Sequence, residues 1–156
     1  MTFDSLLIAN RGEIACRIIK TAKEMGIRSV TVYVDADKDA LFVKQADESI
    51  RLKDGGYLDG NQIIEAAIRT GAQAIHPGYG FLSENASFAR KVKKAGIIWV
   101  GPSPNVISVM GDKLKAKELA IKADVPTLPM TSKLTEAKKI GFPILIKAAA
   151  GGGGKG

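Results

Sequence analysis

The sequence predicts an α/β protein built on a doubly wound parallel sheet. Three observations predict it. Short runs of Ile, Val and Leu alternate with segments whose apolar residues recur at helical spacing. The connections between them are short and carry Gly, Asn or Asp. Strand, helix, strand with such connections is a βαβ unit, whose crossover is right-handed and whose strands are parallel.

The first strand is read at Leu6–Ala9. Asn10-Arg11-Gly12-Glu13 turns the chain into a helix over residues 13–25. Ile14, Ile18 and Ala22 form its apolar stripe, with Ala15 and Ile19 beside them, and Gly26 closes it. Cys16 lies off the centre of that stripe and reads as a packing residue rather than a nucleophile. The second strand is Val30–Val34. Asp35–Asp39 is a polar turn, and Asp39 is expected to cap a short helix through Gln45. The turn lacks the Gly and Glu that a calcium loop needs at its sixth and twelfth positions.

Ser49–Leu52 is the third strand, of alternating character. Asp59 should cap a helix that runs through Thr70 and stops at Gly71. Ala74–His76 is the fourth strand. Ser83 should cap a helix over residues 84–95, closed by Gly96, and Ile97–Val100 is the fifth strand. The result is one Rossmann-like domain over residues 1–101. Residues 102–156 follow with a short helix at Asn105–Met110, a helix at Leu114–Ala123 and a brief one at Thr135–Ile140. Val125–Pro129 is extended, because residues before proline avoid the α region.

Composition excludes several functions. The 156 residues are 46% hydrophobic and 25% charged, ordinary for a globular chain with a real core. A single cysteine rules out an internal disulfide and fits a reducing compartment. No apolar run approaches membrane-spanning length, so a cytoplasmic or mitochondrial-matrix protein is expected, with no membrane partner. The net charge of +7 is spread over helix faces without interleaved aromatic residues, which argues against nucleic acid.

The chemistry concentrates in residues 142–156. Ile144-Leu145-Ile146 reads as a short buried strand, with Lys147 directly after it. Gly151–Gly154 and Lys155 follow. Glycines let backbone N–H groups approach phosphate oxygens, and lysines add positive charge, so the stretch reads as a polyphosphate clamp. As a P-loop it fails twice. Ala149 stands where the first Gly belongs, and Gly156 where the metal-binding hydroxyl belongs. Gly151, Gly153 and Gly156 fit a dinucleotide pattern, but a run so rich in glycine fits it almost automatically.

Four stretches carry a resemblance. Ile8-Ala9-Asn10-Arg11-Gly12-Glu13-Ile14-Ala15 resembles the biotin carboxylase family, as does His76-Pro77-Gly78-Tyr79-Gly80-Phe81-Leu82-Ser83-Glu84-Asn85. Met110-Gly111-Asp112-Lys113 matches the family's turn into its next helix. Residues 142–156 resemble the ATP-grasp glycine loop of biotin carboxylases and carbamoyl-phosphate synthetases. The resemblance implies a pre-ATP-grasp domain followed by the truncated start of an ATP-grasp domain. It implies a parent enzyme that carboxylates biotin from ATP and bicarbonate for an acyl-CoA carboxylase of the acetyl or propionyl type. It assigns Lys113, Lys147, Gly153 and Gly154 to ATP, and Tyr79 and Gly80 to the biotin side. His76 reads as an inert histidine at a strand end.

The family usually dimerises, and its first-helix contacts match Arg17 and Glu24. It uses Mg²⁺, with Mn²⁺ as a substitute, and biotin on a carrier domain, beside a carboxyltransferase subunit. The chain stops before the family's metal ligands and catalytic base. No catalytic or metal residue is therefore expected within it, and no cofactor should bind it tightly. Two other readings stay open: a fragment of another ATP-grasp ligase such as carbamoyl-phosphate synthetase, or a stand-alone dimerisation module without chemistry.

Overall fold

The computed structural model describes residues 3–146. Its sheet has five strands: β1 (Ser5–Ile8), β2 (Arg28–Tyr33), β3 (Glu48–Arg51), β4 (Ala74–His76) and β5 (Ile98–Trp99). All pair in parallel, in the order β3-β2-β1-β4-β5. The helices between them are α1 (Gly12–Glu24), α2 (Leu41–Gln45), α3 (Gly60–Thr70) and α4 (Ala86–Lys94). Successive side chains of a strand point to opposite faces. Leu7 and Ala9 accordingly join a core with Ile63, Ala66, Phe88 and Val92 of α3 and α4. Leu6 and Ile8 join a second core with Ala15, Ile18 and Ile19 of α1 and Phe42 of α2. Leu7, Ile8, Ile63 and Ile75 are wholly buried, each contributing about 1.5–3 kcal/mol of burial energy. The sheet is therefore covered on both faces and doubly wound.

The local chemistry explains where each helix starts. Asp59 caps α3, its carboxylate accepting from the N–H groups of Asn61 and Gln62, and Gly71 ends the helix with φ +64°. Two expected caps are corrected. Asn85, not Ser83, caps α4, accepting from the N–H of Phe88 at 2.9 Å. Residues 81–84 form turns instead, with Ser83 N–H donating to the Gly80 carbonyl. Asn85 sits directly before the apolar positions Phe88, Ala89 and Val92, which is where a cap is needed. Asp39 caps nothing, because α2 begins at Leu41 after Ala40, one residue too late for the Asp39 side chain. The third strand is half-buried along most of its length rather than alternating, as the edge position of β3 dictates.

The chain divides into two compact units, Met1–Ile107 and Ser108–Gly156. Helix α5 (Pro104–Met110) places Ile107 in the core of the first unit. In the second, α6 (Lys113–Lys122) starts on Asp112, whose side chain accepts from Leu114 and Lys115 N–H. The brief helix expected at residues 135–140 is a 3₁₀ turn at Leu134–Glu136 running into α7 (Ala137–Ile140). Ile144–Ile146 is not a buried strand: Leu145 and Ile146 are 78% exposed. A strand is held by its neighbours, and the described residues of this unit contain no other strand to pair with it. Lys147, Gly153 and Gly154 lie outside the described residues.

Candidate functional site

Strands β1 and β4 are neighbours, and the chain winds outward from them in opposite directions. Ligands of open α/β sheets bind beside the carboxyl ends of strands at such a switch point. Here β1 runs into Asn10-Arg11-Gly12 and β4 into the loop His76–Ser83.

Asn10 ties the two together. It is fully buried, and its Nδ2 donates to the Pro77 carbonyl at 2.7 Å and the Tyr79 carbonyl at 2.8 Å. Its Oδ1 accepts from the N–H of Arg11 at 2.9 Å. Gly78, with φ +64°, allows this approach, since a Cβ there would stand 2.7 Å from Asn10 Nδ2 and from Ile14 Cγ2. The N–H of Gly78 donates to His76 Nδ1 at 2.9 Å. An accepting Nδ1 requires a neutral imidazole, and burial, aided by the charge of Arg17, holds the His76 pKa down. His76 is thus a turn-forming acceptor.

A second cluster borders the first and was not anticipated from the sequence. Asp37 is buried and accepts from Arg11 through both Nε, at 2.7 Å, and Nη2. It also accepts from the Tyr57 hydroxyl at 2.6 Å. The Arg11 guanidinium lies 6.0 Å from the Tyr57 ring centre, and that ring stacks on Phe81 at 5.2 Å. Arg11 and Tyr57 hydrogen bonds hold the Asp37 carboxyl below its ordinary 3.8 despite burial. Burial and the bond to Asp37 push the Tyr57 hydroxyl up. A carboxylate depressed in the folded state contributes stability above its unfolded pKa of about 4 and loses it as pH falls through the folded value. Wild-type stability in urea should therefore drop below about pH 4, and Asp37→Asn should be weaker at pH 7 with a flatter acid profile. An unchanged acid slope in the variant would remove Asp37 from that account.

The residues singled out by sequence fall in several places. Tyr79 and Gly80 sit on the loop after β4. Tyr79 is 58% exposed, and its hydroxyl donates to Glu13 Oε1 at 2.5 Å, which raises its pKa. Gly80 has φ +68°, and a Cβ built on it would meet nothing within 4 Å. Arg17 and Glu24 are exposed on the solvent side of α1, and the Arg17 charge also acts on His76 and Tyr79. Cys16 is half-buried against the α1–α2 core, and burial pushes its thiol up, away from nucleophilic use. Lys113 is the first residue of α6, in the second unit, and is half-buried. Among the described residues no group of three or more His, Cys, Asp or Glu could hold a metal ion. No helix among them is long and apolar enough to cross a membrane.

Comparison with known proteins agrees with this architecture. Residues 2–107 match the model for the biotin carboxylase N-terminal domain, and residues 112–156 match the ATP-binding domain of the carbamoyl-phosphate synthase L chain. The chain is 53% identical to the mitochondrial methylcrotonoyl-CoA carboxylase subunit alpha of Dictyostelium discoideum, over 97% of this chain and 23% of that protein. It is 49% identical to the propionyl-CoA carboxylase alpha chain of Ruegeria pomeroyi, over 99% of this chain and 24% of the relative. The chain thus spans under a quarter of these curated relatives. Among solved structures, the biotin carboxylase domain dimer of the Hydrogenobacter thermophilus 2-oxoglutarate carboxylase, in complex with MgADP, ADP and bicarbonate, matches with a TM-score of 0.91 and 45% identity. That match covers 99% of this chain and 37% of the other. Rhizobium etli pyruvate carboxylase matches with a TM-score of 0.90 and 40% identity, over 99% of this chain and 15% of that one. With its parallel 3-2-1-4-5 sheet, its Asn10-bound loop and a family match over residues 2–107, this chain belongs to the biotin carboxylase N-terminal domain family.

Proposed function

We propose that this chain is the N-terminal part of a biotin carboxylase subunit. The whole protein carboxylates biotin from ATP and bicarbonate, for an acyl-CoA carboxylase of the acetyl or propionyl type. The observation that carries this reading is the likeness, over nearly the whole chain, to methylcrotonoyl- and propionyl-CoA carboxylase alpha subunits. Residues 1–101 form its first α/β domain, and residues 102–156 are linker helices and the beginning of its ATP-grasp domain. The glycine loop alone also fits a carbamoyl-phosphate synthetase, but the family match over residues 2–107 favours the carboxylase.

ATP, when bound with Mg²⁺ or Mn²⁺, supplies the phosphoryl group that activates bicarbonate. Lys113 and Lys147 place positive charge beside the phosphates, and the backbone N–H groups of Gly153 and Gly154 donate to them. The metal's carboxylates belong to the rest of the whole protein. Tyr79 and Gly80 face biotin delivered on its carrier domain. Gly80 suits that role because the space at its α-carbon is open. Arg17 and Glu24, exposed two turns apart on α1, contact a second copy. A carboxyltransferase subunit takes the carboxylated biotin, in the cytoplasm or the mitochondrial matrix.

The test uses the full-length protein. It should cleave ATP only with bicarbonate, with the rate raised by free biotin, whereas the 156-residue chain alone should show neither activity. Lys113→Ala or Lys147→Ala should cost about tenfold to a hundredfold in kcat/KM for ATP, as loss of a charged hydrogen bond does. Unchanged KM and kcat for either variant would reject that lysine's role. ATP cleavage independent of bicarbonate would reject the reaction.

A further inference from the structure

The turn at Tyr79–Gly80 is held from two sides. On the inner side Asn10 Nδ2 binds the carbonyls of Pro77 and Tyr79. On the outer side the Phe81 ring lies on the Tyr57 ring, with 29° between their planes. Tyr57 donates to Asp37, Asp37 is paired with Arg11, and the Arg11 N–H donates to Asn10 Oδ1. The contacts close a circuit around the carboxyl ends of β1, β2 and β4. Gly80 lies between its two anchor points, Tyr79 and Phe81. Its N–H donates to no acceptor among the described residues.

Phe81 is the unusual member. It is 42% exposed, yet its φ is +44°, a region that bulky residues rarely enter. Such a conformation persists only where the surroundings determine it. Apolar burial alone does not determine it, because the residue is exposed. Beside the backbone bond from Ser83 N–H to the Gly80 carbonyl, the partner of the Phe81 side chain is the Tyr57 ring, which is itself buried and fixed by Asp37.

We propose that Phe81, Tyr57, Asp37 and Arg11 are positioning residues that set the geometry of the Tyr79–Gly80 turn and so the affinity for biotin, a neutral cyclic urea. The proposal rests on the biotin-facing role given above to Tyr79 and Gly80. None of the four needs to touch the ligand. They act through the backbone of the turn, so their loss should move biotin binding and leave nucleotide binding alone.

The experiment compares Phe81→Leu, Phe81→Tyr and Gly80→Ala in the full-length carboxylase. Phe81→Leu keeps apolar bulk and removes the stack. It should raise KM for free biotin about threefold to tenfold, with KM for ATP unchanged. Phe81→Tyr keeps the stack and should restore KM to near the wild-type value. In the 156-residue chain, Phe81→Leu should also speed amide hydrogen exchange at Gly80 and Phe81. The proposal is overturned if Phe81→Leu leaves KM for biotin unchanged, or raises both KM values together. If Gly80→Ala raises KM for biotin and Phe81→Leu does not, only the positioning role fails. If neither changes it, the biotin-facing role of the turn fails as well.

Discussion

Replacing Asn10 with leucine should destabilise the protein by about 3–5 kcal/mol, a large share of the roughly 5–15 kcal/mol that holds a domain folded. The side chain is wholly buried and serves three backbone groups: the carbonyls of Pro77 and Tyr79 and the N–H of Arg11. Leucine matches its size and satisfies none of them. Each buried group left without a partner costs about 1–3 kcal/mol, and the lower figure applies where water reaches it. Asn10→Asp should be worse at neutral pH, because a carboxylate cannot donate and would face two carbonyl oxygens. Urea unfolding followed by Trp99 fluorescence and circular dichroism reads both changes. A loss below about 1 kcal/mol for Asn10→Leu would mean that the loop after β4 is held by something other than this side chain.

The strands and most helices were legible because local signals and the tertiary fold agree. Ala74–His76 and the helix between Asp59 and Gly71 appear where the apolar run and the caps place them. Errors arose where two local signals competed. Ser83 and Asn85 are both good caps, and only the turns at residues 81–84 decide for Asn85. Ile144–Ile146 has the composition of a strand, but pairing is a property of neighbours and not of the segment. The candidate site divides in the same way. The His76–Asn85 loop is legible because its glycines and proline are adjacent in sequence. The cluster of Arg11, Asp37, Tyr57 and Phe81 is not. Arg11 and Asp37 are 26 positions apart, Asp37 and Tyr57 are 20 apart, and they meet only because β1, β2 and β3, which they follow, are neighbours in the sheet.

Gly78→Ala should cost about 2–5 kcal/mol, and the loss should depend on Asn10. Two contributions add. A residue with a Cβ pays about 1–2 kcal/mol to adopt the left-handed conformation that Gly78 holds at φ +64°. Forcing a methyl into a packed site costs about 1–3 kcal/mol more. The new Cβ would stand 2.7 Å from Asn10 Nδ2 and 2.7 Å from Ile14 Cγ2. Ile14, half-buried on α1, has some room to rotate, whereas Asn10 cannot move without giving up its bonds to Pro77 and Tyr79. Truncating Asn10 to alanine removes one of the two obstructions. In that background Gly78→Ala should therefore cost about 1 kcal/mol less than in the wild type. Gly80→Ala separates strain from collision. Its φ is +68°, but nothing beyond its chain neighbours lies within 4 Å of the added Cβ, so it should pay the backbone cost of about 1–2 kcal/mol and little else. Urea unfolding of the three single variants and the Asn10–Gly78 double variant completes the comparison. If Asn10→Ala and Gly78→Ala add to within about 0.5 kcal/mol, the close approach of the loop to Asn10 is not what requires glycine at position 78.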